Sequence, residues 1–303
     1  MQLIPWINAF RLRTLPLALS CSVLGSFLAA SHGAFNWWIF SLCVLTTLFL
    51  QILSNLANDL GDYQHGTDDE NREGPKRALQ LGTITEKQMK FAIVVFIALS
   101  LISGILLLWY SFKDANSLLP LVFFFTGVGA IFAAVKYTYG KSPYGYAGWG
   151  DFFVFVFFGL VGVFGTYFLH TQQANWIVLL PASGLGLLSA GVLNLNNIRD
   201  IKNDSEKGKV TIPVRLGEQK ALVYHSLLIW VAVLLVIIYF FWLKPSYWLL
   251  VSIPVLPLLL RHQLAVKNQK KTAKFDKELK YLALTTFIFS VLVGLSQLLA
   301  HWK

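Results

Sequence analysis

Residues 37–62 read WWIFSLCVLTTLFLQILSNLANDLGD, an apolar run that becomes polar on one side as it ends. The polar side chains are Gln51, Asn55, Asn58 and Asp62, separated by steps of four, three and four residues. Such steps place side chains on one face of an α-helix. Polar side chains are costly in hydrocarbon and usually face an interior cavity. The stretch therefore predicts a membrane-spanning helix whose last turns carry a polar, cavity-facing stripe.

The rest of the 303-residue chain shares this apolar character. Hydrophobic residues make up 56% of it and charged residues 13%, against about 25% charged in an ordinary soluble domain. The apolar residues come in blocks, and a helix needs about 20 of them to cross a bilayer. We predict an all-α integral membrane protein, one polytopic domain over residues 1–303, with nine transmembrane helices. The predicted segments are Leu15–Ser31, Trp37–Asp59, Phe91–Phe112, Leu118–Val135, Trp149–Leu169, Trp176–Asn197, Leu222–Trp242, Tyr247–Leu260 and Tyr281–Trp302.

The eighth segment, Tyr247–Leu260, is the least regular because it is short and contains Pro254 and Pro257. A core or re-entrant segment is the alternative there. Charge placement favours nine spans, since alternating sides then put 22 of the 25 Lys and Arg residues on one face of the membrane. Because basic loops stay cytoplasmic, this predicts a cytoplasmic N-terminus and an outer C-terminus. The net charge of +10 then reflects topology and anionic lipid, and no nucleic-acid partner is predicted.

An internal repeat is visible along the chain. Asn58-x3-Asp62 closes the second segment, and Asn196-x3-Asp200 closes the sixth, four segments later. Each is followed by a polar loop with glycine, then a Leu-Gly pair, then a new helix. A four-helix unit used twice, with the ninth helix as an addition, fits this pattern.

Acidic residues cluster at both of these helix ends. Asp62 and Asp68 close the first, and Asp200 and Asp204 close the second. Four carboxylates in one region repel each other unless cations lie between them, and an all-oxygen ligand set suits Mg²⁺, which binds a few carboxylates plus substrate phosphates. For any one of these acids, an ordinary solvated position at the membrane edge is the alternative. The two matching clusters together favour a magnesium site with these four aspartates as ligands.

Basic side chains lie beside the acids in the sequence. We predict that Arg77, Arg199 and Lys209 bind diphosphate oxygens and stabilise the leaving group. Each also fits a role in setting the topology of the chain. Asn58, one turn before Asp62, is predicted to bind the same substrate.

The loop 136–146, KYTYGKSPYGY, is rich in Tyr, Gly and Pro. This composition indicates a shaped loop rather than a flexible linker. We predict a catalytic role for Tyr137 and a substrate contact for Tyr144. The faces of their rings would stabilise, by cation–π attraction, an allylic cation that forms as the diphosphate leaves. An aromatic belt at the membrane interface is the alternative.

Taken together, these motifs resemble those of the UbiA superfamily of membrane prenyltransferases. The family's first acidic motif matches Asn58, Asp62 and Asp68, and its second matches Asp200 and Asp204. The five residues between Asp62 and Asp68 favour the branch that acts on 1,4-dihydroxy-2-naphthoate over relatives that use benzoates. The stretches that carry this resemblance are Arg11–Pro16, Leu50–Asp62, Arg72–Arg77, Pro143–Asp151, Leu193–Asp200 and Gly208–Thr211.

Two residues depart from the family's pattern. Leu12 stands where the family often has proline, and Trp149 where it usually has leucine. Neither is a proposed metal ligand, so neither puts the activity in doubt.

The resemblance implies a fold and a reaction. The implied fold is two four-helix repeats plus one helix, and Asp62 and Asp200 would be catalytic residues that hold Mg²⁺. A polyprenyl diphosphate and 1,4-dihydroxy-2-naphthoate would react with loss of diphosphate and CO₂. The product would be demethylmenaquinone, a step of menaquinone biosynthesis in a bacterial cytoplasmic membrane.

Other functions stay open at this point. The acceptor follows from the resemblance alone, so another aromatic acceptor such as 4-hydroxybenzoate is the main alternative. A transporter fits less well, since transporter sites lie near the bilayer midplane whereas these acids lie at one face. A CDP-alcohol phosphotransferase would carry its acids in a single motif, which the chain lacks.

Overall fold

The computed structural model describes residues 3–68, 75–114, 117–242, 247–269 and 275–301, and this part of the chain contains helices and turns but no strand. Nine helices in it are long and apolar enough to cross a membrane. The predicted number of spans is confirmed, and the chain is a multi-pass membrane protein. In chain order the helices are α1 (Leu3–Ser31), α2 (Trp37–Gln64), α3 (Glu86–Ser111), α4 (Leu119–Lys136), α5 (Gly150–Thr171), α6 (Trp176–Arg199), α7 (Glu218–Trp242), α8 (Trp248–Lys267) and α9 (Phe275–His301).

Several helices extend beyond the predicted apolar segments at a polar end. α2 continues past Asp59 to Gln64, and α7 begins at Glu218 rather than at Leu222. Hydropathy marks only the part of a helix that lies in hydrocarbon, whereas backbone hydrogen bonding carries the helix on into the polar region. The acids that end α2 are therefore held on a regular helix.

The eighth segment is a span in its own right. A 3₁₀ turn over Tyr247–Ser252 leads into an α-helix over Val255–Lys267. Pro254 and Pro257 lie at the start of this α-helix, where a missing N–H breaks no intrahelical hydrogen bond.

Two spans are irregular. α1 breaks at Arg11, whose φ of 51° separates a short helix, Leu3–Phe10, from a longer one, Leu15–Ser31. α5 widens into a π-helix over Phe155–Gly165. Where α5 crosses α6, a Cβ on Gly159 would lie 2.7 Å from a backbone carbonyl oxygen of α6, so only glycine permits this close packing.

Helix packing repeats with an offset of four helices. α2 packs along α3 as α6 packs along α7, and the pairs α1–α2 and α3–α4 correspond to α5–α6 and α7–α8. This pattern supports a four-helix unit used twice. α9 belongs to neither unit and packs along α1, with further contacts to α6 and α8. The first turn of α9 therefore lies beside the end of α6.

Candidate active site

The first acidic motif lies at the end of α2, against the loop that follows α4. Asn58 and Asp62 are one turn apart and both line a cavity inside the bundle. Gly61 lets the loop approach closely, because a Cβ there would lie 2.5 Å from the carbonyl group of Thr138. The Thr138 hydroxyl donates to Asn58 Oδ1 at 3.2 Å, and the Tyr146 hydroxyl donates to Asp62 Oδ1 at 3.0 Å. The loop thus fixes both side chains of the motif.

The second acidic motif begins where α6 ends. Asp200 follows the last residue of α6, and Asp204 lies in a short helix, Ile201–Glu206. One helical turn separates the two acids, and both line the same cavity as the first motif. Asn203 donates to the carbonyl oxygen of Thr67 at 2.8 Å, which ties the loop after α2 to the second motif. The structure therefore brings Asp62, Asp200 and Asp204 to one end of one cavity, whereas Asp68 is not part of the cavity wall.

Lys209 lies between the two motifs. Its Nζ is 3.6 Å from Asp62 Oδ1 and 3.7 Å from Asp204 Oδ1, and it lies 5.2 Å from the centroid of the Tyr146 ring. Burial alone lowers the pKa of an ammonium group, but the two carboxylates outweigh it and raise the pKa of Lys209. Lys209 therefore stays charged and reduces the repulsion between Asp62 and Asp204.

Arg77 is held by acids at the first motif. Its Nη1 is 3.3 Å from Asp59 Oδ1, and its Nε is 3.8 Å from Asp68 Oδ2. Arg11 also pairs with Asp59, which is 1% exposed. The sequence analysis did not single out Asp59, although its partners Arg11 and Arg77 both lie in stretches quoted there. Residue 72, the start of the motif that ends at Arg77, lies outside the described residues.

Arg199 is engaged on both sides by carboxylates. Its Nε and Nη2 donate to the two oxygens of Asp200 at 2.9 and 2.6 Å, and its Nη1 donates to Asp276 Oδ1 at 3.2 Å. Nη2 also donates to Asn196 Oδ1 at 3.0 Å. The predicted contact between Arg199 and diphosphate stays a prediction, whereas its contacts here orient Asp200. The sequence analysis missed Asp276 because it lies on α9, far along the chain from either motif.

The loop after α4 contains a short 3₁₀ helix, Tyr144–Ala147. Tyr137 and Tyr144 line the cavity, with ring centroids 5.4 Å apart in an edge-on arrangement. Burial raises the pKa of both phenols, so both stay neutral. Tyr146, which the sequence analysis did not single out, makes the direct contact with Asp62, and its hydroxyl also lies 2.5 Å from Thr67 Oγ1.

The donors at this end of the cavity fit a hard divalent cation. No three His, Cys, Asp or Glu side chains in the described part of the chain converge into a complete metal site. The carboxylates of Asp62, Asp200 and Asp204 are nevertheless joined there by Asn197 and Asn203, and carboxylate and amide oxygens are what Mg²⁺ and Ca²⁺ bind. The side-chain oxygens of Asn197 and Asn203 are buried without a hydrogen-bond partner. Both oxygens are therefore available to a cation that binds oxygen.

The cavity changes from polar to apolar along its length. One end carries the acids and Lys209, and the wall toward the opposite ends of the helices includes Leu107, Phe123 and Leu169. Its volume is about 430 Å³. This shape suits a molecule with a charged head and a hydrocarbon tail.

Comparison with known proteins gives a family and close relatives. A protein-family model described as the UbiA prenyltransferase family matches residues 18–298. The chain is 40% identical over 298 residues to a 1,4-dihydroxy-2-naphthoate octaprenyltransferase of Haemophilus influenzae, and the match covers 97% of this chain and 96% of the relative. It is 37% identical over 297 residues to the protein of the same name in Escherichia coli, with 96% of each chain covered.

Solved structures share the fold. The apo structure of a UbiA homolog from Aeropyrum pernix K1 aligns with a TM-score of 0.70 at 17% identity, covering 96% of this chain and 99% of that one. A UbiA homolog from Archaeoglobus fulgidus bound to DMAPP and Mg²⁺ aligns with a TM-score of 0.56 at 18% identity, covering 95% of this chain and 99% of that one.

Proposed function

The chain belongs to the UbiA prenyltransferase family and is a prenyltransferase, and we propose from that premise that it transfers a polyprenyl group from a polyprenyl diphosphate to 1,4-dihydroxy-2-naphthoate. One observation carries the proposal. Asp62 and Asp204, from the two acidic motifs, lie 3.6 and 3.7 Å from the same ammonium group at the polar end of the cavity. The similarity to two 1,4-dihydroxy-2-naphthoate octaprenyltransferases over nearly the whole chain supports the acceptor and menaquinone biosynthesis.

Four aspartates are the proposed ligands of Mg²⁺. These are Asp62, Asp68, Asp200 and Asp204, of which Asp62 and Asp200 are the proposed catalytic pair. Bound Mg²⁺ supplies positive charge that binds the diphosphate and stabilises it as a leaving group. The homolog solved with DMAPP and Mg²⁺ supports this part of the proposal.

The chain's own residues bind and orient the donor. Lys209 and Arg77 present buried positive charge to the diphosphate, and Arg199 holds the carboxylate of Asp200 in place. Asn58 binds at the same end of the cavity. The neutral rings of Tyr137 and Tyr144 face the cavity where positive charge develops on the prenyl group.

In the proposed reaction the donor loses diphosphate and the acceptor loses CO₂. The bond between the prenyl C1 and the diphosphate oxygen breaks, and its electron pair leaves with diphosphate. The ring carbon that bears the carboxylate then forms a bond to C1. Cleavage of the bond to the carboxylate returns an electron pair to the ring as CO₂ leaves, and the product is the quinol form of demethylmenaquinone.

We also propose a location and an orientation for the protein. The site faces the cytoplasm from a bacterial cytoplasmic membrane, with the N-terminus inside and the C-terminus outside. Two observations support this. If the nine spans alternate across the membrane, 22 of the 25 Lys and Arg residues of the sequence fall in segments on the side of the acidic motifs, and the two relatives named above are bacterial.

A carboxyl-labelled acceptor tests the reaction. Purified protein in detergent, with Mg²⁺ and a polyprenyl diphosphate, should release labelled CO₂ from carboxyl-labelled 1,4-dihydroxy-2-naphthoate in step with the quinol product. Prenylation of 4-hydroxybenzoate keeps the carboxylate. A product that retains the label, or turnover with 4-hydroxybenzoate only, would contradict the proposed acceptor.

A further inference from the structure

Asp276 lies outside both acidic motifs, on the first turn of α9. Its Oδ1 accepts hydrogen bonds from Arg199 at 3.2 Å and from Arg13 at 3.1 Å. Its Oδ2 lies 3.1 Å from the same nitrogen of Arg13 and 3.7 Å from Lys280 Nζ. Asp276 also lines the cavity. A single carboxylate therefore joins α9 to the N-terminal segment and to the end of α6.

Arg199 is shared between Asp276 and Asp200. Its Nη1 points to Asp276, while its Nε and Nη2 bind both oxygens of Asp200. Arg199 is 2% exposed, so water screens these charges little. A buried cation that faces two carboxylates neutralises each of them less fully than it would neutralise one alone.

We propose that Asp276 is a positioning residue for Asp200. By taking part of the charge of Arg199, Asp276 leaves the Asp200 carboxylate oriented and able to bind Mg²⁺. The inference rests on the proposed function, in which Asp200 is a metal ligand. Without Asp276, the guanidinium of Arg199 is shared with one carboxylate fewer and interacts more strongly with Asp200, so Mg²⁺ competes with a stronger contact for the Asp200 oxygens. The helix outside the two repeats thereby contributes to the chemistry of the second motif.

A neighbouring acid on the same turn separates this effect from a general role of α9. Glu278 is buried and contacts a different set of residues: its Oε2 lies 2.6 Å from Arg261 Nη1 and 3.2 Å from His262 Nδ1, both on α8. Asp276 and Glu278 therefore anchor α9 in two different directions. Only Asp276 contacts Arg199.

The test measures the Mg²⁺ requirement of Asp276→Asn in two ways. One is the Mg²⁺ concentration that gives half-maximal prenyl transfer, and the other is the concentration that gives half of the Mg²⁺-induced rise in Tm with inorganic diphosphate present. Both should rise by about 10-fold or more, the range for losing a group that orients a metal ligand. The rate at saturating Mg²⁺ should fall by much less, and Asp276→Glu should recover most of the Mg²⁺ affinity.

Glu278→Gln is the matched control, because it makes the same change in charge on the same turn. It should lower Tm with and without Mg²⁺ and leave the half-saturating Mg²⁺ concentration within about twofold of the wild type, since distant effects are additive. In an Arg199→Gln background, Asp276→Asn should have little further effect. If Asp276→Asn does not fold, Asp276→Ser replaces it, because it removes the same negative charge with a smaller polar side chain and should also raise the Mg²⁺ requirement.

The outcomes separate the two proposals. An unchanged Mg²⁺ requirement in Asp276→Asn, or an equal shift in Glu278→Gln, would overturn the role of Asp276 while the wild type still responds to Mg²⁺. A wild-type protein that shows no response to Mg²⁺ in either assay would instead overturn the proposed function.

Discussion

Lys209 Nζ lies 3.6 Å from Asp62 Oδ1, so a cation from the loop after α6 meets the acidic motif at the end of α2. The same ammonium group lies 3.7 Å from Asp204 Oδ1. Lys209 thus places one positive charge against both carboxylates. Binding of Mg²⁺ to these carboxylates would reduce their need for the ammonium group and leave it available to diphosphate. We therefore expect Lys209 to pair with the carboxylates before Mg²⁺ binds and with the diphosphate afterwards.

Replacing Lys209 by methionine should destabilise the protein most when Mg²⁺ is absent. The substitution leaves Asp62 and Asp204 buried without their shared cation, and breaking a buried ion pair costs about 3–5 kcal/mol. Tm should fall clearly in EDTA and recover in part when Mg²⁺ is added. Lys220→Met, at an exposed position on α7, is the control. An equal fall in Tm with and without Mg²⁺ would mean that the lysine does not substitute for a metal.

The comparison of the wild type with Lys209→Met also gives a prediction for the pH dependence of stability. The pKa of Lys209 is raised in the folded protein. A raised pKa stabilises the fold fully below the ordinary pKa of lysine, and the contribution is lost only as pH rises through the higher folded value. The difference in Tm between wild type and Lys209→Met in EDTA should therefore stay constant from about pH 6 to about pH 9. A difference that shrinks within this window would contradict the raised pKa.

Asp62→Asn, Asp200→Asn and Asp204→Asn should each lower prenyl transfer by about 100-fold or more, the scale of losing one preorganised group that stabilises transition-state charge. The amide keeps the shape of the side chain but removes the charge that holds Mg²⁺. Each variant should still insert into membranes and purify. Asp114→Asn changes an exposed acid beyond the other end of α3 and should leave the rate unchanged. Near-normal turnover of Asp200→Asn at limiting Mg²⁺ would remove it from the proposed ligands.

Single cysteines test the orientation in the membrane. In a background without Cys21 and Cys43, a cysteine at exposed Glu206 should react with a membrane-impermeant thiol reagent only from the cytoplasm. A cysteine at exposed Gln173 should react only from outside. These positions flank α6 on opposite sides, and the charge distribution places the acidic end inside. Labelling of both positions from one face would contradict the proposed topology.

Local pattern was enough to predict the nine helices and the acids that end α2 and α6. Helical spacing places Asn58 and Asp62 on one face whatever the rest of the chain does, and hydropathy sets the spans. The contacts of Asp59 and Asp276 could not be predicted in this way. Each meets an arginine from the N-terminal segment, Arg11 or Arg13, and that pairing depends on how distant helices pack.

The contact between Tyr146 and Asp62 could not be predicted either, because it also depends on how distant segments pack. Composition marked the whole loop after α4 as shaped but did not distinguish its tyrosines. Only the close approach at Gly61 brings the Tyr146 hydroxyl to Asp62. Tyr137 and Tyr144 line the cavity as a substrate contact requires, and their proposed roles stay predictions.

The apolar part of the cavity should set the length of the prenyl donor. Gly104 on α3 lines this part, and a Cβ built there meets no atom within 4 Å, so a larger side chain would occupy the cavity without displacing a neighbouring helix. Gly104→Leu should keep the fold, because leucine favours helix more than glycine does. It should lower kcat/KM for an octaprenyl donor by about 10-fold or more, since forcing extra volume into a fitted space typically costs about 1–3 kcal/mol. A geranyl donor, whose tail is shorter, should lose much less.

Gly129→Leu on α4 is the matched control for this variant. A Cβ at Gly129 also meets no atom within 4 Å, and the residue is not part of the cavity wall. This variant should treat the two donors as the wild type does, because the added side chain points away from the cavity. The ratio of kcat/KM values for the two donors, measured in all three proteins, isolates the effect of filling the cavity from any general loss of activity. An unchanged ratio in Gly104→Leu would mean that the hydrocarbon tail follows a different path through the bundle.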